Sequence, residues 1–203
     1  MRRPILCLAL LLTLAACGAK SVWAPDADVA RAAYAADTPP SVTLFTVLNK
    51  RSHGGAHSGL LINGTQRVMF DPAGSWHHPA LPERNDLFYG MTDKMVNFYI
   101  DYHSRETFDV LEQTVPVSPE VAALVMQRAT AHGAVPKALC ASSISDILRG
   151  VPGFEAVPNT FAPKKLVAAF EIMPGMSSRL ITDTDADNNH GVLLVQAGDP
   201  RLD

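Results

Sequence analysis

Long hydrophobic runs, an excess of basic charge and internal repeats are all missing from this chain. After the N-terminus, no apolar run approaches the roughly 20 residues that a helix needs to cross a bilayer. The 203 residues include 17 Lys and Arg against 20 Asp and Glu, with no basic stripe to neutralise phosphates. This charge balance argues against a nucleic-acid partner. No repeat or low-complexity segment occurs, and the length predicts one compact domain.

The first 18 residues, MRRPILCLALLLTLAACG, have the pattern of an export signal. Two arginines precede an apolar run that is too short for a spanning helix, and small residues follow it. The Leu-Ala-Ala-Cys ending resembles the bacterial lipoprotein signal, which implies cleavage after Ala16 and lipidation of Cys17. The position after Cys17 is Gly18 and not the Asp that retains many lipoproteins at the inner membrane. Outer-membrane placement facing the periplasm is therefore expected. A plain secretory signal and an uncleaved anchor are the alternatives.

Cysteine is scarce in the expected mature chain. Cleavage would remove Cys7, and lipidation would use Cys17, so Cys140 is the one free thiol expected in the folded part. An exported protein with one unpaired cysteine has either a buried inert thiol or a reactive one. Cleavage also removes two of the 17 basic residues and no acidic ones, which leaves a formal net charge near −5.

Residues 17–40 are rich in Ala, Asp and Pro and are predicted to form a lipidated N-terminus and tether. A weak helix over 28–35 is possible in this segment. If flexible, about 20 such residues span on the order of 25 Å, enough to lift a domain off the headgroups. The single folded domain is then predicted to cover 41–203.

Strands are predicted where β-branched and aromatic residues lie between turn signals. They cover 41–50, 57–62, 66–71, 97–102 and 106–117, with late short strands at 180–182 and 191–196. Asn63-Gly64 predicts a hairpin between the second and third strands. The segment 72–85 contains three prolines and is predicted to be irregular.

Three helices are predicted in the second half of the chain. Ser118 suits an N-cap, Pro119 suits the first helical position, and Gly133 ends this first helix. A second helix should begin near Cys140 and end at Gly150-Val151-Pro152. A third is predicted over 164–172.

Cys140, His57 and Asp71 are the candidate catalytic residues. Nucleophilic thiol chemistry needs a thiolate, an imidazole that takes and returns protons, and a polar group that orients the imidazole. Free amides and the dipole at a helix start would lower the thiol pKa of Cys140. His57 opens a strand after a glycine loop, and Asp71 ends its hairpin partner.

The turn between these strands decides whether His57 and Asp71 share a face of the sheet. A strict two-residue turn would pair His57 with Phe70 and direct Asp71 to the other face. A three-residue loop with Gly64 in the left-handed conformation restores the match, and this is the arrangement that we predict.

Structural alternatives exist for each candidate. Free cysteine is commonly a small buried core residue, and Asp71 before Pro72 is also typical of a turn. His53 and His57 are spaced like a zinc pair, but two intervening glycines argue against such a helix, so no metal site or cofactor is expected. The motif Asp183-x-Asp185-x-Asp187 is interpreted as a solvated turn, because it lacks the glycine and the glutamate of a calcium loop.

Ser58, Trp76 and His77 are the candidate substrate-binding residues. Ser58 follows the candidate base directly, while Trp76 and His77 could line the mouth of a cleft. Core packing of the aromatic residue and a polar surface loop are the alternatives for the last two.

These residues resemble the circularly permuted branch of the NlpC-like, papain-fold thiol hydrolases, which includes the lecithin–retinol acyltransferase-like proteins. His57-Ser58-Gly59 matches the family's His at a strand start, and Cys140-Ala141-Ser142-Ser143 matches its Cys at a helix start. Many members have a second His or an Asn where this chain has Asp71. The resemblance covers about residues 45–175.

The resemblance implies a papain-like α+β fold, with a small barrel-like antiparallel sheet packed against the helix that begins at the nucleophile. It also implies a Cys–His hydrolase or acyltransferase that acts on amide or ester bonds. In a bacterial envelope, peptidoglycan stem peptides and lipid acyl groups are the expected substrates. A non-catalytic binding or scaffold lipoprotein on a degenerate hydrolase fold is the alternative.

Overall fold

The computed structural model describes residues 19–199. The predicted signal peptide and the predicted lipidation site at Cys17 lie outside the described residues. Within the described range, no helix has both the length and the apolar character required to cross a bilayer.

An antiparallel sheet of seven strands forms the centre of the molecule, in the order β4-β5-β3-β2-β1-β6-β7. The strands are β1 (Ser41–Asn49), β2 (Gly55–Asn63), β3 (Arg67–Phe70), β4 (Glu83–Arg84), β5 (Leu87–Tyr89), β6 (Phe108–Pro116) and β7 (Ser177–Ile181). The sheet is open, because β4 and β7 lie at opposite edges and do not pair with each other. The predicted α+β class is therefore confirmed, and the predicted barrel-like sheet is wrong.

Six helices accompany the sheet among the described residues. They are α1 (Asp26–Ala32), α2 (Asp93–His103), α3 (Pro119–His132), α4 (Cys140–Leu148), α5 (Pro163–Glu171) and α6 (Asn189–Ala197). The caps of α3 are as predicted, since the Ser118 side chain accepts from the Val121 amide and Gly133 follows with φ of 83°. The starts of α4 and α5 agree with the sequence prediction to within one residue.

Two predicted strands are helices instead. Residues 97–102 belong to α2, where the Thr92 side chain caps the Met95 amide and Met95, Tyr99 and Tyr102 are buried at helical spacing. Residues 191–196 belong to α6, which the Asn188 side chain caps through the Gly191 amide. Short apolar runs do not distinguish the helical period from the strand period. The polar capping residues before them are the better signal for a helix.

Helices cover both faces of the sheet and create two hydrophobic cores. On one face, Leu44 and Leu60 pack with residues of α3, α4 and α5, such as Ile144. On the other face, Phe45 and Leu61 pack with residues of α2. A strand that is buried on both faces reads as a continuous apolar run, which explains the sequence of β1.

The segment predicted as a tether contacts the domain over much of its length. Trp23 forms a β-bridge with Arg84 at the sheet edge, and the Arg67 amide donates to the Tyr34 carbonyl at 2.7 Å. The Asn63 side-chain amide also donates to the Pro39 carbonyl at 2.9 Å. Residues 22–39 therefore follow the domain instead of extending away from it.

Candidate active site

The β2–β3 hairpin brings His57 and Asp71 to one face of the sheet. Asn63 pairs with Arg67, which leaves a three-residue loop as predicted. Gly64 does not adopt the predicted left-handed conformation. The same register, extended by one residue beyond Phe70, places Asp71 opposite Gly59 and therefore on the face that carries His57. The two side chains meet at 2.6 Å between His57 Nε2 and Asp71 Oδ1.

Cys140 reaches the same cluster from the opposite face of the sheet. Because β3 pairs only with residues 60–63 of β2, the first half of β2 has no neighbour on that side. The Cys140 thiol at the start of α4 lies at this open edge, close enough to the His57 ring and to the Ser58 and Ala141 backbone amides for these groups to lower its pKa. Since Nε2 of His57 faces Asp71, Nδ1 is the nitrogen that remains for the thiol.

The charges of the cluster support one another. Burial acts to raise the pKa of the Cys140 thiol, but the hydrogen bond and the charge of His57, with the two amides, lower this pKa below its ordinary value. Burial acts to lower the pKa of His57, yet the Asp71 carboxylate and the thiolate raise it to about 10. The pKa of Asp71 is lowered despite full burial, mainly by the charge and hydrogen bond of His57. The interactions within the cluster therefore favour the charged forms of all three groups: thiolate, imidazolium and carboxylate.

Tyr99 is a member of the cluster that the sequence interpretation missed. Its hydroxyl donates to Asp71 Oδ1 at 2.9 Å, the oxygen that also bonds with His57. A Cβ on Gly59 would stand 2.3 Å from the Tyr99 hydroxyl oxygen, so only glycine leaves room for this contact. Tyr99 was not predicted because residues 97–102 were expected to form a strand. The capping residue Thr92 is the signal in the sequence that indicates a helix here.

His103 is the second missed residue. Its ring lies nearly parallel to that of His57, with 5.6 Å between centroids and 13° between planes. His103 Nδ1 donates to the Tyr99 carbonyl at 2.8 Å, which leaves Nε2 without a proton in the neutral ring. Burial, together with the positive charge of His57 and against the attraction of Asp71, lowers the pKa of His103 to about 4. A neutral imidazole thus contacts the charged one.

Both interpretations of Asp71 agree with the structure. The Gly74 amide donates to the Asp71 carbonyl at 3.1 Å, so the residue opens a turn while its side chain faces His57. The second carboxylate oxygen, Oδ2, is buried without a hydrogen-bond partner, and a Cβ on Gly74 would stand 1.8 Å from it. Gly74 is therefore required by the close approach of this carboxylate.

Three potential metal ligands, His57, Asp71 and His103, offer atoms within 4.8 Å of one another. Two of these ligands, His57 and Asp71, are however at hydrogen-bonding distance from each other. Two ligands of a tetrahedral zinc ion, each about 2.1 Å from the metal, stand about 3.4 Å apart. His57 and Asp71 are closer than that, at 2.6 Å. The geometry fits a hydrogen-bonded ion pair.

A second acidic group, Asp101, Asp183 and Asp185, also has atoms within 4.8 Å of one another. Arg105 neutralises part of it, with 2.9 Å to Asp101 and 3.4 Å to Asp185. Asp183 Oδ1 accepts from the Thr184 and Asp185 amides, as in a polar turn. This arrangement agrees with a solvated turn.

A cavity of about 480 Å³ opens beside His57, whose side chain is 15% exposed. Its walls include Ala73, Gly74, Tyr102, His103 and Asn189. Cys140 is 7% exposed and is not among the residues that line this cavity.

The predicted substrate-binding residues do not line this cavity. Ser58 is fully buried on the sheet face that carries Leu60. Trp76 is 2% exposed, packs edge-on to Phe88 and Tyr99, and donates its indole N–H to Gln196 at 3.2 Å. Trp76 is therefore a core residue and not a cleft wall. His77 is exposed and lines a different cavity, next to Trp23.

Comparison with known proteins found no counterpart for this chain. No family model matches it, and neither curated protein sequences nor solved structures gave a significant match.

Proposed function

We propose that the protein is a lipid-anchored cysteine hydrolase of the bacterial cell envelope, which cleaves an amide or ester bond. The observation that supports this most strongly is that His57 interacts with both other groups: its ring is 2.6 Å from Asp71 Oδ1, and its charge helps to lower the pKa of the Cys140 thiol. Cys140 lies 69 positions after Asp71 in the sequence, yet the fold brings it to the same cluster. An apolar core gains nothing from three buried ionisable groups, because their desolvation is costly unless they act together.

The chemistry follows from the charges. The Cys140 thiolate attacks the carbonyl carbon, and the carbonyl electrons move to oxygen. Cys140 is the first residue of α4, so its amide has no acceptor within the helix and is free to hold this oxyanion. His57 gives its proton to the leaving amine or alkoxide as that bond breaks, and a thioester remains. His57 then takes a proton from water as the water oxygen attacks the thioester carbon. The carbon–sulfur bond breaks, which releases the acid and restores the Cys140 thiolate beside the protonated His57, while Asp71 orients the ring.

We further propose that the fold is a permuted papain-like one. Supporting features are an antiparallel sheet whose second strand carries the base and a later helix that begins at the thiol. The N-terminal pattern ending at Cys17 supports the lipid anchor and the envelope location, with peptidoglycan stem peptides or lipid acyl groups as substrates. Lipidation is tested by labelling cells with radioactive palmitate. The label should appear in the protein and be absent from Cys17→Ser.

The enzymatic proposal is tested by the reactivity of the thiol and by turnover. Iodoacetamide should alkylate Cys140 well below pH 8, and the His57→Ala variant should require a higher pH, since its thiol lacks the cationic partner. Extracted peptidoglycan peptides and acyl lipids are then screened as substrates. Turnover that persists in both Cys140→Ala and Cys140→Ser would refute the assignment of the nucleophile.

The second candidate function is a non-catalytic binding or scaffold lipoprotein. The observation that favours it is the 7% exposure of Cys140 and its absence from the cavity beside His57. A thiol that reacts with iodoacetamide only after unfolding would support this candidate over the hydrolase.

A further inference from the structure

An exposed apolar face lies beside the point at which the described chain begins. Trp23 is 58% exposed, and Leu194 on α6 is 62% exposed. Both line one cavity of about 620 Å³, whose other walls include Leu81, Phe88 and Leu193. Together, Trp23 and Leu194 are called the Trp23 face below.

Trp23 is held in place and is not part of a loose end. It forms a β-bridge with Arg84, whose guanidinium lies 4.7 Å from the centre of the indole ring. The Ala24 amide donates to the Glu83 carbonyl at 2.9 Å, and the Asn85 amide donates to the Val22 carbonyl at 3.0 Å. The fold thus fixes a large aromatic side chain in an exposed position, which has a hydrophobic cost in water.

The sequence indicates what covers this face. The proposed lipid anchor at Cys17 precedes Trp23 by six residues. Six residues reach at most about 20 Å, so Trp23 cannot move far from the headgroups. Lys20 is the only charged residue between them, and its positive charge suits an anionic membrane surface. Tryptophan is enriched at membrane–water interfaces, where its ring contacts the acyl boundary and its N–H contacts water.

We propose that the Trp23 face docks on the lipid bilayer that holds Cys17. This inference rests on the proposed lipid anchor and adds a defined second contact. The anchor already confines the domain to the membrane, so a weak contact suffices to hold one orientation. Insertion of Trp23 and Leu194 at the headgroup level provides that contact, and the domain then stands against the membrane on this side.

The fluorescence of Trp23 tests the docking. The protein is purified in detergent from cell envelopes and reconstituted in vesicles of phosphatidylethanolamine and phosphatidylglycerol, with flotation as the readout of anchoring. Compared with the detergent-free protein released by proteolysis or with Cys17→Ser, acrylamide quenching of Trp23 should fall about twofold or more, as an interfacial indole requires. Brominated lipids should quench Trp23 but not the buried Trp76, which remains as the internal reference in Trp23→Phe.

Matched variants separate docking from other effects. Leu194→Glu should restore acrylamide quenching, whereas Ile172→Glu should not, because Ile172 is 74% exposed but does not line the same cavity. Protein that fails to float refutes the lipid anchor and this inference with it. Protein that floats while Trp23 stays open to acrylamide refutes the docking alone. Shielding of Trp23 that persists without vesicles assigns the face to a protein segment or a second copy and also overturns the proposal.

Discussion

The oxygen Oδ1 of Asp71 accepts two hydrogen bonds, one from the His57 ring and one from the Tyr99 hydroxyl. At the scale of residues, this oxygen influences how strongly the His57 ring holds its second proton. The sequence predicted the roles of Cys140, His57 and Asp71 from residue type and local position. It did not reveal Tyr99 or His103, because contacts between a helix and a strand end depend on packing that no local pattern encodes.

Tyr99→Phe removes one donor from Asp71 and leaves the ring in place. The Tyr99 hydrogen bond helps to lower the pKa of Asp71, so its loss should raise this pKa. The acid limb of the pH–rate profile should move to higher pH, with kcat lowered about tenfold and KM little changed, the signature of a lost transition-state interaction. Tyr102→Phe is the control, because its hydroxyl bonds with Ser75 and not with Asp71. Identical profiles for the two variants would contradict the positioning role of Tyr99.

His103 predicts how stability depends on pH. Its folded-state pKa of about 4 lies below the ordinary value of 6.5, so the unfolded chain binds this proton more readily. Stability should therefore be full above pH 6.5 and fall as the pH drops towards 4, by about 3 kcal/mol from this one group. In His103→Gln the fall should be largely absent. Urea denaturation at several pH values measures it, and an equal fall in wild type and variant would refute the prediction.

His57 acts in the opposite direction at high pH. Its raised pKa of about 10 means that the folded state keeps a proton that the unfolded chain releases above pH 6.5. The lowered pKa of Cys140 has the opposite effect on stability. Up to the ordinary pKa of a thiol, the unfolded chain keeps a thiol proton that the folded state has already lost, which offsets the stability lost through His57. Stability from the pair is then lost as the pH rises further, through about 10.

At the scale of elements, the three-residue loop between β2 and β3 sets the site. Local patterns were sufficient for β1, β2, β3, β6 and for the three helices α3, α4 and α5, because caps and turn residues mark their ends. Local patterns failed for α2 and α6, because the short apolar runs there fit a strand as well as a helix. The length of the β2–β3 loop could be predicted only by requiring His57 and Asp71 to share a face, and the structure has that loop length.

Deletion of Thr65 from this loop should abolish the site while keeping the sheet. A two-residue loop shifts the register by one position and sends Asp71 to the opposite face. All four residues of β3 are buried, two on each face of the sheet. Reversing the faces therefore keeps every side chain of β3 in a buried position, and the strand can still form. Rapid thiol alkylation below pH 8 should be lost, with the circular dichroism spectrum retained. Insertion of two residues in place of the deletion preserves the parity and should preserve the reactivity.

At the scale of the whole molecule, the site lies where the two cores meet at a sheet edge. Tyr99 belongs to the core on the α2 side, and Ala141, the neighbour of Cys140, belongs to the core covered by α3, α4 and α5. The α+β class followed from the order of elements. The open sheet and the docking of residues 22–39 did not, because they depend on edge pairings between segments distant in sequence.

Gln196 connects α6 to the rest of the molecule. Its side chain accepts from Trp76 and donates to the Phe98 carbonyl at 2.9 Å and to Asp101 at 3.0 Å. Gln196→Leu leaves these buried groups without partners and should lower the free energy of unfolding by about 2–3 kcal/mol. Since Asn189 of α6 lines the cavity beside His57, KM should also rise. Thermal unfolding and steady-state kinetics measure both, with the exposed Ala197→Ser as the control. A stable variant would show that α6 is held by other contacts.

The single thiol among the described residues has a consequence for how this protein matures. If Cys7 is removed and Cys17 is lipidated as proposed, Cys140 has no second free cysteine on its own chain with which to form a disulfide. Folding in an oxidising compartment then requires no shuffling of bonds. Disulfide formation is then confined to mixed disulfides with small thiols or with a neighbouring molecule.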